Sequence, residues 1–147
     1  MVGLLQQITS AGPPAVPDDA LIYSPLPATA DDGFPQAFLL SAGGVVFRLT
    51  MAVYYPDPAF IVSRDFASLI FELPDADRGL YLNLKLEYEQ RTGPERLVGA
   101  RRVVIDLPIA LGPLRFRFKR IRVAQGNLRG PGAFGSQLLA EAAVTDG

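Results

Sequence analysis

The 147-residue chain contains no histidine, no cysteine and no tryptophan. Histidine and cysteine supply the imidazole bases, the thiolate nucleophiles and most zinc and haem ligands of proteins, so the sequence excludes these chemistries. The lack of cysteine also excludes a scaffold held together by disulfides. Any catalysis would have to use carboxylate, hydroxyl, lysine or arginine side chains.

Lysine and long hydrophobic runs are scarce as well. The chain has 12 Arg but only 2 Lys, together with 13 Pro and 14 Gly, which fits either a thermophilic source or a GC-rich genome. No run of eighteen apolar residues occurs, so we expect no membrane-spanning helix. Hydrophobic residues make up 49% of the chain and charged residues 20%, which predicts one globular domain with a sizeable core.

Positive charge is missing from the first third of the chain. Residues 1–47 contain four Asp and no Lys or Arg, whereas all 14 cations occur from Arg48 onward. Six prolines occur by position 35. Each one fixes φ, removes a backbone donor and favours extended geometry in the residue before it. The sequence therefore predicts an extended arm over residues 1–40, ahead of a body over residues 41–147.

The predicted arm carries apolar side chains along its length, which a solvated linker would lack. Such a strip is expected to lie on a protein surface, either that of its own body or that of a neighbouring subunit. The residues predicted to contact a partner are Leu4, Leu5, Ile8, Leu21, Ile22, Tyr23 and Phe34.

The body shows the period-two alternation of β-strands. Residues 45–55 place apolar side chains on one face, and residues 80–89 alternate leucine with polar residues. Residues 97–107 are expected to pair with 80–89 as an antiparallel strand that has Leu107 in its buried phase. Proline, aspartate and glycine between these segments predict hairpin turns.

The predicted strand over residues 115–123 changes phase. Its phenylalanines lie on even positions and its later apolar residues on odd ones, so Lys119-Arg120 is expected to form a β-bulge. A glycine-rich segment follows, and residues 136–144 form either a short helix or an edge strand. The chain is therefore predicted to be all-β, with a small antiparallel sandwich or barrel-like body.

Two motifs are similar to ligand sites. GPGAFG at 130–135 matches the dinucleotide pattern G-x-G-x-x-G, but too few residues follow it for a βαβ unit. Asp75-x-Asp77-x-Gly79 begins like a calcium loop, but Leu86 stands where the bidentate acid is required. A surface loop and a hairpin turn explain these residues, so no cofactor and no metal ion is predicted.

Glu87 and Glu89 lie about 7 Å apart on one strand face and resemble a pair of catalytic carboxylates only superficially. A carboxylate-based hydrolase is the third functional hypothesis. Because the two residues alternate with leucines, the solvent-exposed face of a strand explains them better. No catalytic residue is predicted, and the chain is not expected to be an enzyme.

The strongest local feature is a cationic stretch over residues 91–129, which holds ten cations and two acids. The phenylalanines in it alternate with the cations, so they are expected to point to the core rather than to stack on bases. An acidic protein surface is thus a better partner than nucleic acid. A module binding an anionic ligand or nucleic acid is the alternative function. The predicted basic face consists of Arg101, Arg115, Arg117, Lys119 and Arg122.

An apolar, proline-rich arm (1–40) ahead of a small β body (44–125) resembles the layout of the decoration, or cementing, proteins of tailed bacteriophage heads. Those proteins are β-rich modules, commonly trimers, that bind the outer capsid and clamp neighbouring subunits. The resemblance implies a non-enzymatic virion structural protein on the capsid surface, with the major capsid protein or other virion subunits as partners. It also implies a homo-oligomer, with a trimer favoured. Tail and head–tail joining proteins share this layout and stay open as alternatives.

Overall fold

The computed structural model describes residues 21–56 and 69–145. Leu4, Leu5 and Ile8 of the predicted arm lie outside the described residues. Within the two described ranges the chain forms nine β-strands and no α-helix, so the all-β prediction is confirmed.

The nine strands form two antiparallel sheets. The first sheet has the order β1-β9-β8-β4, with β7 also paired to β8, and the second has the order β2-β3-β5-β6. The strands are β1 (Ser24–Pro25), β2 (Gln36–Ala42), β3 (Val45–Tyr54), β4 (Ile70–Glu72), β5 (Tyr81–Tyr88), β6 (Leu97–Arg102), β7 (Ile109–Leu111), β8 (Leu114–Ala124) and β9 (Gln137–Val144).

One hydrophobic core joins the two sheets. From the second sheet, alternate residues of β3 and β5 such as Leu49 and Leu84 are fully buried, and from the first sheet so are Phe116 and Phe118 of β8. Alternate residues of these three strands thus face the other sheet, as in a sandwich. The phases predicted for β3, β5 and β8 are confirmed, and the body is a sandwich of two sheets.

The predicted bulge in β8 is present. Phe118 pairs with Ala140 of β9 and Arg120 pairs with Leu139, so Lys119 is the extra residue. The bulge absorbs the change of phase, because Ile121 after it is buried like Phe118 before it. One inserted residue therefore keeps both halves of a strand that spans the sheet in contact with the core.

The strand predicted over residues 97–107 is too long, and the burial predicted for Leu107 is wrong. β6 ends at Arg102, and Leu107 is 55% exposed. Asp106 adopts the left-handed region (φ 65°) and donates its N–H to the carbonyl of Phe118 in the other sheet. The chain crosses between the sheets here, so the alternation of a strand no longer decides which side chains are buried.

The C-terminal segment over residues 136–144 forms a strand, not a helix. It is β9, which pairs with β8 along its length. On its other side it pairs with β1, where Ser24 lies opposite Ala142 and Pro25 opposite Glu141. Of the two predicted alternatives, a short helix and an edge strand, the strand is therefore correct. β1 pairs with only two residues of the outer edge of β9.

The boundary predicted after residue 40 falls inside β2. This strand pairs with β3 from Gln36 to Ala42 without a register shift. Gly43 and Gly44 connect the two strands with positive φ values (58° and 79°), as a two-residue hairpin turn requires. Residues 36–40 therefore belong to the second sheet. The sequence places them in the arm because an edge strand without cations has the same composition as an arm without cations.

Replacing Phe118 with Ala is expected to lower the free energy of unfolding by about 3–5 kcal/mol, because it removes a fully buried ring and leaves a cavity. Leu139→Ala is the control, since Leu139 lies on the neighbouring strand and is 57% exposed. Its expected effect is less than about 0.5 kcal/mol. Urea unfolding followed by circular dichroism measures both, and equal losses would contradict the assignment of the buried face.

Candidate partner-binding surface

The described part of the predicted arm lies on its own body. Leu26 and Phe34 belong to the hydrophobic core, and the N–H of Leu26 donates to the carbonyl of Ala140 at 3.0 Å. Phe34, which was predicted to contact a partner, is only 3% exposed, so that prediction is wrong. Phe34 is one of the apolar residues spaced along the predicted arm, but its ring is buried in the core of the sandwich.

Asn127 holds this segment in place. Its side chain is fully buried and donates to the carbonyls of Gly130 (3.3 Å) and Gly132 (2.9 Å). Its side-chain oxygen accepts the hydroxyl of Ser136 at 2.5 Å, and its main-chain carbonyl accepts the N–H of Phe34 at 2.8 Å. A buried amide with this many partners is a rigid junction.

Sequence reasoning missed Asn127. The available signal was an asparagine, one of only two in the chain, inside a glycine-rich segment. Such a side chain can hydrogen-bond backbone groups of a loop. The segment looked like a surface loop, but the buried amide anchors it.

Glycine is required where the arm meets this loop. Gly33 has a φ of 75°, and a Cβ there would collide with the carbonyl of Gly130. The dinucleotide-like motif at 130–135 lies between a 3₁₀ turn (Gln125–Arg129) and β9. This context lacks the helix N-terminus on which a pyrophosphate would bind. Gly33 is therefore the residue that permits close backbone packing between the arm and the loop.

Tyr23 is held on the body by Arg117 of β8. The guanidinium carbon of Arg117 lies 4.2 Å from the centre of the Tyr23 ring, within cation–π distance. Its Nε donates to Glu141 of β9 at 2.7 Å. One residue of the predicted basic face thus binds one residue of the predicted arm inside the same chain.

Ile22 is the apolar arm residue that projects from the described surface. Its side chain is 88% exposed, directly before the anchored Tyr23, whereas Leu21 is half-buried. Beside Ile22 a groove of about 360 Å³ opens between the two sheets. Apolar side chains form most of its lining, among them Pro25, Leu26, Leu40 and Val144. Ile22 and this groove form the exposed apolar surface where the arm reaches the body.

The five residues of the predicted basic face do not share one strand or one sheet. Arg115, Arg117, Lys119 and Arg122 belong to β8 in the first sheet, but Arg101 belongs to β6 in the second sheet. Arg101 therefore stands in a different sheet from the other four residues of the predicted basic face. The segment that crosses between the sheets separates strands that follow each other closely in sequence.

Several cations of β8 are engaged within the chain. Arg117 pairs with Glu141, and the ammonium of Lys119 lies 3.7 Å from the Asp106 carboxylate. Arg115 donates to main-chain carbonyls, including that of Gly112 at 3.2 Å. An anionic ligand would have to displace these contacts, so this face is a weaker anion site than its charge count indicates.

Glu87 and Glu89 form an ion-pair network on the outer face of the second sheet. Arg48 donates to both carboxylate oxygens of Glu89, at 3.1 and 2.9 Å. Arg96 lies 3.3 Å from Glu89 and 3.7 Å from Glu87. The hydrogen bond and the charge of Arg48 lower the pKa of Glu89, whereas a catalytic general acid needs a raised one.

The turn that resembled a calcium loop is closed by its own arginine. Asp75 accepts the N–H of Arg78 at 3.2 Å and the Arg78 guanidinium at 2.7 Å, which lowers the pKa of the Asp75 carboxyl. An isolated bridge between Asp75 and Leu80 completes the turn. In the part of the chain that the structure describes, no group of three acidic residues is placed to hold a metal ion.

Comparison of the chain with protein-family models, curated proteins and solved structures finds no match. Among the described residues, no helix is both long and apolar enough to cross a membrane. Because no related protein suggests a function, the functional hypothesis starts from the anchored arm, the exposed Ile22 and the groove beside it.

Replacing Arg117 with Ala is expected to loosen β1, because Tyr23 loses its cation–π partner. Hydrogen exchange at the Leu26 amide should become about three- to tenfold faster, the effect of losing about 1 kcal/mol. Arg120→Ala is the control, since Arg120 lies on the same strand and is exposed. Equal acceleration in both variants would contradict a specific role of Arg117.

The ion pair between Arg48 and Glu89 is expected to make stability depend on pH. Because the folded state lowers the pKa of Glu89, the pair stabilises the fold above the carboxyl's ordinary pKa of about 4.3. That contribution is lost as the pH falls through the lowered value. Glu89→Gln should therefore be less stable than the natural chain at pH 7, and the difference should shrink towards pH 3.

Thermal unfolding between pH 3 and pH 7 measures this dependence. Arg48→Gln is the converse variant and should show the same trend, because losing either partner breaks the pair. A difference that stays constant over this range would contradict the ion pair as the cause.

Proposed function

We propose that this chain is a non-enzymatic structural protein of a bacteriophage particle. In this proposal it is a decoration protein that binds the outer capsid and stabilises it by clamping neighbouring subunits through its N-terminal arm. Its partners are the major capsid protein or other virion subunits, and it acts as a homo-oligomer on the capsid surface.

The observation that carries this proposal is the firm anchorage of the arm where it meets the body. From Tyr23 onward the arm is held by Arg117, by two buried core residues and by the hydrogen bond from the Phe34 N–H to the main-chain carbonyl of Asn127. Ile22, immediately before this anchorage, projects into solvent. A clamp needs such an arrangement, because tension on the gripping segment must be transmitted to a rigid body.

The proposed stabilisation of the capsid shell follows from mass action. A protein that binds only the assembled shell stabilises that state by an amount that grows with the ratio of its free concentration to its Kd. Several anchored arms in one oligomer add an effective-concentration gain. The prolines of the arm lower the entropy lost when it becomes ordered on a partner. This mechanism needs apolar contact area and a rigid anchor, and it uses none of the three residue types that the chain lacks.

Binding of an anionic ligand through the basic face has less support. Arg101 belongs to the other sheet, and Arg117 and Lys119 already have acidic partners. A role in the phage tail or head–tail junction would use the same anchored arm, so the binding experiment must distinguish the two sites.

The experiment uses capsid shells of the phage that encodes the chain, stripped of this protein. The full chain is expected to cosediment with the shells and to raise the temperature at which they disassemble. The variant Leu4→Ser/Leu5→Ser/Ile8→Ser should bind at least tenfold more weakly, because the arm loses its apolar contacts.

Val104→Ser/Leu107→Ser is the control, since both residues are exposed apolar residues of the body. It should bind shells like the natural chain. Binding to purified tails rather than to shells would contradict a capsid role. Equal binding by the arm variant would contradict clamping by the arm.

A further inference from the structure

Most sheet edges in this sandwich carry features that prevent pairing with another strand. β1 is two residues long and contains Pro25, and β4 and β7 have three residues each. β6 has a register shift opposite Leu86 and Glu87 and ends in two arginines. Short length, proline, bulges and cations are the usual protections of an edge strand.

β2 has none of these protections. It is seven residues long, contains no charged residue and no proline, and pairs with β3 without a register shift. Within the described residues it is the terminal strand of its sheet. A long, regular and uncharged edge is a template for the addition of another strand.

The register identifies the backbone groups that β2 leaves free. A two-residue hairpin makes Ala42 and Val45 a hydrogen-bonded pair, and such pairs alternate along the ladder. The N–H and C=O groups of Ala37, Leu39 and Ser41 therefore point away from β3. In the described part of the chain, no backbone hydrogen bond outside the strand ladders engages these three residues.

We propose that β2 is a self-association surface on which β2 of a second copy pairs antiparallel, about a two-fold axis through Leu39. In this register Leu39 lies opposite the partner's Leu39, and Ala37 lies opposite the partner's Ser41. All three residues with free backbone groups then form hydrogen-bonded pairs with one another, each exchanging two bonds. The two four-stranded sheets become one continuous sheet.

The side chains of β2 suit the same register. Leu39 is 50% exposed on the outer face and would pack on its own copy. Phe38 and Leu40 face the core but are only partly buried, and the partner's Leu40 and Phe38 would cover them. The absence of charge on β2 means that no like charges meet across the two-fold axis.

Pairing of β2 with the β2 strand of a second copy fits this edge better than pairing with the β6 strand of a second copy would. The other free edge of this sheet is β6, whose register shift and arginines oppose regular pairing. Pairing of β2 with itself produces a closed two-fold dimer. This inference does not rest on the capsid role, and it differs from the trimer that the resemblance to decoration proteins implies.

The first test compares Leu39→Lys with Leu97→Lys in the full chain. Both leucines lie on edge strands of the same sheet with similar exposure, 50% and 53%. Sedimentation velocity over a range of concentrations is expected to show a dimer for the natural chain and for Leu97→Lys. Leu39→Lys should weaken the dimer at least tenfold, because two ammonium groups meet at the axis. Circular dichroism checks that both variants are folded.

The second test uses the absence of native cysteine. In a hydrogen-bonded antiparallel pair the Cα atoms lie about 5.5 Å apart, within the range that a disulfide can bridge. Leu39→Cys should therefore form a disulfide-linked dimer under mild oxidation, and Leu97→Cys should not.

Three results would overturn the inference. One is a natural chain that stays monomeric at high micromolar concentration while Leu39→Cys forms no cross-link. Another is a trimer that Leu39→Lys leaves unchanged. The third is a monomer whose Leu39 amide is protected from hydrogen exchange, which would mean that another segment of the same chain covers the edge.

Discussion

The buried amide of Asn127 is the constraint that holds together the glycine-rich loop and the arm segment that lies on it. A fully buried amide loses its water partners on folding and must find replacements in the protein. Its partners come from two places, the glycine-rich loop and the entry to β9, and its own main-chain carbonyl bonds the arm at Phe34. The side chain thus fixes the loop to the entry of β9, and the main chain of the same residue joins this loop to the arm, which is distant in sequence.

Several arginines make their contacts inside one chain. In the structure, Arg117 binds Tyr23 and Glu141 of its own chain, and Arg48 and Arg96 bind the carboxylates beside them. These three arginines therefore attach strands and arm within one sandwich. The exposed apolar surface is then the better candidate for partner binding.

The absence of charge over residues 36–42 has two structural meanings. In the sequence, residues 36–40 belong to the predicted arm, because composition alone does not distinguish an arm without cations from an edge strand without cations. The structure pairs this segment with β3 on one side and leaves its other side open among the described residues. The same lack of charge that obscured the strand is the property that makes its free edge suited to a second copy.

The sequence by itself determined the central strands β3, β5 and β8, their buried faces and the bulge at Lys119, because alternation is a local property that each strand carries. Only the tertiary structure decided that Phe34 is core, that Leu107 is exposed and that Arg101 belongs to a different sheet from the cations of β8. Those outcomes depend on which sheet a strand joins and on where the chain crosses between sheets. The contacts that decide them join residues distant in sequence, so no periodicity within a segment records them.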